Sequence, residues 1–223
     1  MEIADVFRRF GEEYLHRYGS GILPSHRRAV QDITACRTPA LGGHRWHCED
    51  CGKDVYVFHG CRNRSCPACH TAQTQTWLEA RKLEVLPYDY FHLTTTVPEG
   101  LRVFFRQRQK ALYGLFMRIS AEAILTLCRD PKHLGATAAL LAVLHTWTRR
   151  LDYHPHVHFL VTAGGLAPDG LQWIPAKPGF LIPVKALSRL IRHRMQTAVR
   201  KQHPDLYQKI PDSIWTKEVA KKE

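Results

Sequence analysis

The chain has 223 residues, 44% of them hydrophobic, and carries a formal net charge of +12. This composition supports a folded core and excludes a disordered chain, while the charge favours a polyanionic partner, nucleic acid before an anionic membrane surface. The start lacks the apolar core of a signal peptide, and the longest nearly apolar run, at 134–144, is too short to span a bilayer. We therefore expect a cytoplasmic protein, in which seven cysteines favour metal binding over disulfides.

The N-terminal part combines short helices with a segment at 44–70 that is dense in cysteine, histidine, glycine and arginine. A β-branched and aromatic stretch within that segment, DVYVFH at 54–59, predicts a strand. Helical periodicity lies on both sides of the segment, and it predicts helices at 4–18, about 25–36 and 73–86.

The C-terminal part alternates strand and helix patterns, which predicts the α+β class. Residues 137–147 fit either a buried helix or a buried strand, and we favour a strand because the strand at 156–162 needs a partner. The other predicted elements are a strand at 90–98, helices at 99–128 and 182–202, and a loop at 164–170. A change in composition near 87–89 predicts two domains, 1–88 and 89–223.

Two C-x-x-C motifs, Cys48 with Cys51 and Cys66 with Cys69, are separated by 14 residues. Each motif places two thiolates on one tight turn, and two facing turns complete a tetrahedron around zinc. This spacing is typical of a zinc ribbon and predicts a structural zinc ion held by these four cysteines. Cys61 is a possible further ligand.

The sequence pattern assigns no definite role as a metal ligand to the other three cysteines. Cys61 could replace one of the four thiolates, could act with His59 or His70 at a second metal, or could be a buried free thiol. Cys36 and Cys128 have no partner in sequence and are predicted to be core residues.

Arg62 and Arg64 project from the short loop between Cys61 and Cys66. A loop made rigid by zinc and presenting guanidinium groups suits contacts with phosphate. The alternative is that both arginines are merely solvated.

The segment YHPHVHFLV at 153–161 alternates histidines with other residues. Because side chains alternate faces along a strand, His154, His156 and His158 share one side, and Val157 and Phe159 point to the other side, into a core. Residues two apart lie roughly 6–7 Å from each other, so neighbouring histidines can share a metal ion.

The outer two histidines are twice as far apart, so the strand supplies two ligands, and we choose His156 and His158. A metal held by two imidazoles alone would bind weakly, so a third ligand must come from elsewhere. His92, His145 and His154 are candidates, and the sequence does not choose among them.

Longer stretches carry a family resemblance. His156-Val157-His158 resembles the His-hydrophobic-His motif of the HUH endonuclease superfamily. The chain further resembles the insertion-sequence-91 family of rolling-circle transposases from about residue 5 to residue 200, in the stretches CRTPALGGHRWHCEDCG, GCRNRSCPAC, DPKHLGATAALLAVLHTW, HPHVHFLVTAGGL and FLIPVKALSRL.

The resemblance implies an N-terminal zinc-binding domain and an HUH catalytic domain, an antiparallel sheet flanked by helices. It also implies that the histidine pair helps to hold Mg²⁺ or Mn²⁺ on the scissile phosphate of single-stranded DNA. A tyrosine then attacks and becomes joined to the 5′ phosphate. The choice of magnesium or manganese rests on the resemblance, because imidazole pairs more often indicate zinc or iron.

The family's nucleophiles are two tyrosines spaced by three residues, expected beyond the helix at 182–202. We identify no such pair in this chain, and its last tyrosine, Tyr207, stands alone as the remaining candidate. We therefore predict a transposase that stops before its tyrosine motif, so that its activity as an enzyme is an open question. The alternative is a zinc-dependent DNA-binding protein that occupies element ends without catalysis, and a nuclease using water is disfavoured because no carboxylate pair marks its site.

The predicted helix at 182–202 has an apolar face that includes Val184 and Leu187, and a basic face opposite. The basic face serves both main hypotheses, because cations on it would supply salt-dependent affinity for phosphate. It would associate the protein with the bacterial nucleoid. The predicted DNA-binding residues on this face are Lys185, Arg189, Arg192 and Arg194.

Overall fold

The computed structural model describes residues 2–216, and the chain divides into two compact units, Met1–Val85 and Leu86–Glu223. The sequence placed the boundary between residues 88 and 89. Residues 217–223, at which we predicted that the chain stops short of a tyrosine motif, lie outside the described residues.

The first unit consists of three helices and an exposed two-stranded hairpin. Proline occupies an early helical position in two of them, Pro24 and Pro67, where its missing N–H costs no hydrogen bond. The two strands pair in antiparallel register. The elements are α1 (Ile3–Tyr18), α2 (Pro24–Ala35), β1 (Gly43–His47), β2 (Asp54–Phe58) and α3 (Pro67–Leu83).

The core of this unit is small and centred on sulfur. Its buried cluster consists of Ala4, Ile33, Cys36 and Cys66, with Cys61 and Cys69 among the partly buried residues against it. The Arg8 guanidinium donates 2.8 Å to the Cys36 carbonyl and so ties α1 to the end of α2. So few apolar side chains cannot order a unit of this size, which indicates a second source of stability.

The second unit places a three-stranded antiparallel sheet against helices. The elements are β3 (Tyr90–Thr96), α4 (Glu99–Gln107), α5 (Gln109–Arg129), β4 (Leu140–Trp147), β5 (Tyr153–Thr162), β6 (Gly164–Leu166), β7 (Trp173–Pro175), α6 (Val184–Gln202), α7 (Pro204–Tyr207) and α8 (Asp212–Thr216). The strand order is β3-β5-β4, so the histidine strand β5 is central. A short hairpin of β6 and β7 follows it.

The two faces of the sheet differ, as the alternation in β5 predicted. Val157, Phe159 and Val161 are 0% exposed and belong to the main core with α5 and α6. The opposite face carries the histidines and is half-buried or exposed. The second unit is therefore stabilised by an apolar core, to which the side chains of the histidine face do not contribute.

Helix α5 is long and apolar enough to cross a membrane by length and composition. Its apolar side chains nevertheless supply the core, and the buried ones include Leu112, Phe116, Ile119, Ile124 and Cys128. The core position of α5 accounts for its composition, and the prediction that Cys128 is a core residue agrees with its 0% exposure.

The structure differs from the sequence predictions at three elements. The single helix predicted at 99–128 is two, because Arg108 leaves helical geometry at φ −127° and ψ 43°. The loop predicted at 164–170 begins with strand β6. Val184, placed by us on the apolar face of α6, is 72% exposed because it is the first residue of the helix and extends past the core.

Candidate metal centres and DNA-binding surfaces

Four cysteines of the first unit converge in one cluster: Cys36, Cys61, Cys66 and Cys69, whose sulfur atoms all lie within 4.8 Å of one another. The Sγ atom of Cys36 lies 3.5 Å from that of Cys69 and 3.6 Å from that of Cys66. The Cys61 and Cys69 sulfurs are 3.8 Å apart. A tetrahedral zinc ion with Zn–S bonds of about 2.3 Å separates its sulfurs by about 3.8 Å, so the four residues fit zinc.

The local fold explains how the four thiols meet. Cys36 directly follows α2, while Cys66 precedes α3 and Cys69 lies in its first turn. Arg62, at a φ of 54°, turns the chain after Cys61. Gly60 is required beside the cluster, because a Cβ there would lie 2.9 Å from the Cys69 sulfur.

The thiols of the cluster differ in acidity. Burial raises the pKa of Cys61 to about 12. Burial acts in the same direction on Cys69, but hydrogen bonds from the Arg62 amide and the neighbouring thiols outweigh it and lower the pKa of Cys69 to about 7. Cys69 is thus the thiol most readily present as the thiolate that a metal ion requires.

The predicted four-cysteine set requires a correction, because Cys48 and Cys51 are not part of the cluster. They lie at the tip of the β1–β2 hairpin and are exposed. Strands of five residues separate the tip from the base by about 16 Å. Cys36 and Cys61 flank the base instead, where the Arg37 amide donates to the His59 carbonyl, so they take the places predicted for the tip.

Cys36 was predicted to be a core residue, and it is both buried and part of the cluster. Cys61 was left open between ligand and free thiol, and the structure places it among the four. His59 and His70, the possible partners of Cys61 at a second metal, lie outside the cluster. His59 packs its ring 4.8 Å from that of His44, and His70 is hydrogen-bonded to Gln73.

Beside the cluster, an open cleft of about 1150 Å³ lies between β2 and α3. Arg62 lines it, as do Arg37 and the aromatic rings of Tyr56 and Phe58, which stack at an interplanar angle of 16°. Arg62 is exposed, as is Arg64. The cleft thus combines guanidinium groups with stacked rings, a combination that suits phosphates and bases of nucleic acid.

The second unit assembles three histidines on the open face of the sheet. Ligand atoms of His145, His156 and His158 lie within 4.8 Å of one another. The register explains this, because β4 places His145 directly opposite His156. The ring centroids of His145 and His158 are 4.6 Å apart. Among the three candidates for a third ligand, the structure brings His145 to the predicted pair.

Hydrogen bonds orient these rings for a metal. The Nδ1 atom of His156 lies 2.7 Å from the His154 carbonyl, which can only accept, so Nδ1 carries the proton and Nε2 keeps a free lone pair. The Nδ1 atom of His158 lies 2.8 Å from Nε2 of His92. His92 is therefore placed to orient His158, and His154 orients His156 through its backbone.

Two histidines of this face, His154 and His158, have lowered pKa values. Burial lowers the pKa of His158, and the nearby His145, His156 and His92 add to the effect. Burial likewise lowers the pKa of His154, with a contribution from Arg102. A neutral imidazole is the form that binds metal, so the lowered pKa of His158 favours its role as a ligand.

The tyrosines were less well predicted. The Tyr207 hydroxyl lies 3.1 Å from the Gln196 amide, and its ring stacks against Trp215. A pair with three intervening residues does exist near the N-terminus, Tyr14 and Tyr18 on α1, with ring centroids 5.4 Å apart. The expectation that the chain contains no such pair was therefore wrong. This pair belongs to the unit that carries the cysteine cluster.

The predicted DNA-binding residues of α6 are on the helix surface. Lys185 and Arg189 are exposed, and Arg192 and Arg194 are half-buried. Arg194 donates 3.0 Å to Thr126 on α5. In the described part of the chain none of the four forms an ion pair with a carboxylate, so their charge is free for an anionic partner.

Two family models match these regions, the "Transposase zinc-binding domain" over residues 6–97 and the "Putative transposase" over residues 139–223. The first match covers the whole cysteine cluster. The second covers the histidine strand and its neighbour β4. These matches place the chain in the class of transposases that carry an N-terminal zinc-binding domain.

Named relatives narrow this class. The chain is 46% identical over 191 residues to "Putative transposase y4qJ" of Sinorhizobium fredii. This alignment covers 86% of the chain and 48% of the relative. It is 33% identical over 144 residues to "Transposase for insertion sequence element IS801" of Pseudomonas savastanoi pv. phaseolicola. This alignment covers 64% of the chain and 34% of the relative. The chain belongs to the insertion-sequence-91 family of transposases.

The chain thus spans about half the length of the first relative and about a third of the second. No solved structure matches it.

Proposed function

We propose that the second unit binds a divalent metal ion through His145, His156 and His158 and uses it to hold a phosphate of single-stranded DNA at the end of a mobile element. The observation that carries the proposal is the convergence of three imidazoles, from adjacent strands, on the open face of the sheet. An open face leaves room for a DNA strand, which an enclosed metal site would exclude.

The donor set bears on the choice of metal. All three groups are imidazoles, which suit manganese and later transition metals, whereas magnesium prefers oxygen. Of the two ions that the family resemblance implies, Mn²⁺ therefore fits these residues better. When bound, such an ion polarises a phosphoryl oxygen and so favours displacement at phosphorus.

The residues around the site have separate tasks. His92 holds the ring of His158 through its hydrogen bond, so it positions a ligand. Arg102 acts electrostatically on His154 at the start of the strand and places positive charge near the same face. These groups would guide a phosphate towards the metal.

The zinc-binding domain provides a second contact with DNA. A zinc ion held by the cysteine cluster would stabilise the loop that carries Arg62 and Arg64, and the adjacent cleft offers stacked aromatic rings. The basic face of α6 adds phosphate affinity. We infer that these surfaces bind DNA in the bacterial cytoplasm, in association with the nucleoid.

In the family, nicking proceeds by attack of a tyrosine on the scissile phosphate. Tyr207 does not suit this task, because its hydroxyl is engaged by Gln196 and its ring is packed. This favours a second candidate function for these 223 residues, which is to occupy element ends without cleaving them.

The test measures metal and DNA binding separately. Titration calorimetry with Mn²⁺ should show one site in the purified chain, weakened at least tenfold in His145→Ala and in His156→Ala. His26→Ala, which removes an exposed histidine of α2, is the matched control and should bind as the parent does. Equal affinity in all four proteins would refute the site.

Labelled single-stranded element ends then distinguish the two functions on denaturing gels. A covalent protein–DNA adduct that disappears in His156→Ala would show nicking, and Tyr207→Phe and the double change Tyr14→Phe with Tyr18→Phe would locate its tyrosine. Metal-stimulated binding without cleavage would establish the second candidate. Cleavage without an adduct would exclude tyrosine chemistry.

A further inference from the structure

The cysteine pair at the hairpin tip has the backbone geometry of a metal knuckle. The Cys48 amide donates 3.0 Å to the Lys53 carbonyl, and the Gly52 amide donates 2.8 Å to the Cys48 carbonyl. Gly52 has a φ of 63°, which glycine adopts without strain. The turn therefore has its backbone hydrogen bonds and its left-handed glycine in place without a metal ion.

This knuckle supplies only half of a closed metal site. A structural zinc ion takes four protein ligands. In the region that the structure describes, no third histidine, cysteine or carboxylate gathers with Cys48 and Cys51, because the cysteine cluster and the histidine face account for all groups of three or more. Two ligand positions must be filled from outside the chain's described residues.

The hairpin that carries the knuckle also has an uncovered apolar face. Cross-strand pairing places His44 and Trp46 of β1 on the same side as Val55 and Val57 of β2. Trp46 is 67% exposed, Val55 58% and Val57 51%. A two-stranded hairpin with an exposed apolar face is marginally stable alone, so this face favours a partner.

We propose that a second zinc ion joins two copies of this chain, each contributing Cys48 and Cys51. A two-fold axis through the ion would supply the same thiolate pair twice and complete a four-cysteine tetrahedron. The same axis would bring the two hairpins, with Trp46 and the valines beside it, next to each other.

Charge favours contact at the tip over contact elsewhere. The whole chain carries a net charge of +12, so two copies repel each other over most of their surfaces. Segment 45–54 is different, because its basic residues Arg45 and Lys53 are offset by acidic ones. The acidic residues are Glu49, Asp50 and Asp54. Two copies can therefore approach through their tips without that repulsion, and Lys53 of one can face an acidic side chain of the other.

The experiment determines mass and zinc content of the purified full chain in the presence of a phosphine reductant. Sedimentation velocity should show a dimer. Cys48→Ser with Cys51→Ser should give a monomer that holds about half a zinc ion per chain less than the parent, because two chains share one ion. Its circular dichroism spectrum should be unchanged, because both residues are exposed.

Cys128→Ala is the control, since this cysteine lies in the core of the other unit and should leave mass and zinc content unchanged. Trp46→Ser should weaken the dimer at least tenfold while keeping the cluster zinc. A parent chain that is monomeric under reducing conditions, a dimer that survives the double substitution, or a zinc content that the double substitution leaves unchanged would each overturn the proposal.

Discussion

Replacing Cys36 by alanine should unfold the first unit, although the sequence presents this residue as an isolated core cysteine. Cys36 is 2% exposed, and its sulfur lies 3.5 Å and 3.6 Å from those of Cys69 and Cys66. The substitution removes one of four thiolates from a site that a closed zinc centre needs in full.

The size of this loss of stability follows from the small apolar core of the first unit. Val30 and Ile33 are its buried large aliphatic side chains, at 7% and 3% exposure. Burial of each contributes about 1.5–3 kcal/mol, against a backbone entropy cost of about 1–2 kcal/mol per ordered residue. A structural zinc ion contributes about 10–16 kcal/mol in apparent terms, so its loss should exceed the stability of the unit.

The assay combines elemental analysis with circular dichroism and urea unfolding. Cys36→Ala should lose tightly bound zinc and the helical signal of α1–α3, while the transition of the second unit persists. Cys128→Ala should retain the zinc and cost about 0.5–3 kcal/mol in the second unit's transition. If Cys36→Ala kept its cluster zinc while Cys48→Ala lost it, the ligand set read from the structure would be wrong.

Three further predictions concern other sites. Phe159→Ala should destabilise the second unit by about 3–5 kcal/mol in urea, because the ring is fully buried, whereas Leu160→Ala on the open face should cost less than 1.5 kcal/mol. Gly60→Ala should weaken zinc retention against a chelator at least tenfold, since its Cβ would lie 2.9 Å from the Cys69 sulfur, and unchanged retention would contradict this. His158 has a lowered pKa in the folded state, so the unfolded chain binds more protons and metal-free stability should fall as pH drops below about 6.5. His158→Gln should flatten that dependence between pH 7 and 5, and parallel curves would exclude His158 as its source.

Local chemistry allowed much of this protein to be read from its sequence. The two-residue period of β5 correctly placed Val157 and Phe159 in the core and the histidines on the opposite face. The C-x-x-C spacing of Cys66 and Cys69 likewise sufficed for a knuckle, because both lie at the start of one helix. Such features depend on neighbours in sequence, whose geometry the backbone fixes.

Contacts between residues far apart in sequence could not be predicted in this way. No glycine or proline marks the break at Arg108, so the sequence predicted one helix where the structure has two. His145 was one candidate among three until the β4–β5 register set it opposite His156. The spacing of the cysteine motifs fitted a zinc ribbon that the fold does not form.

The sequence by itself therefore determined the classes of ligand, thiols in one unit and imidazoles in the other, and the face that each strand buries. Only the tertiary structure decided which thiols meet. The β1–β2 hairpin brings Cys36 and Cys61 together at its base and carries Cys48 and Cys51 to its tip, about 16 Å away. The physical reason is that a metal site is defined by distances between atoms of a few ångströms, and chain folding sets those distances independently of separation in sequence.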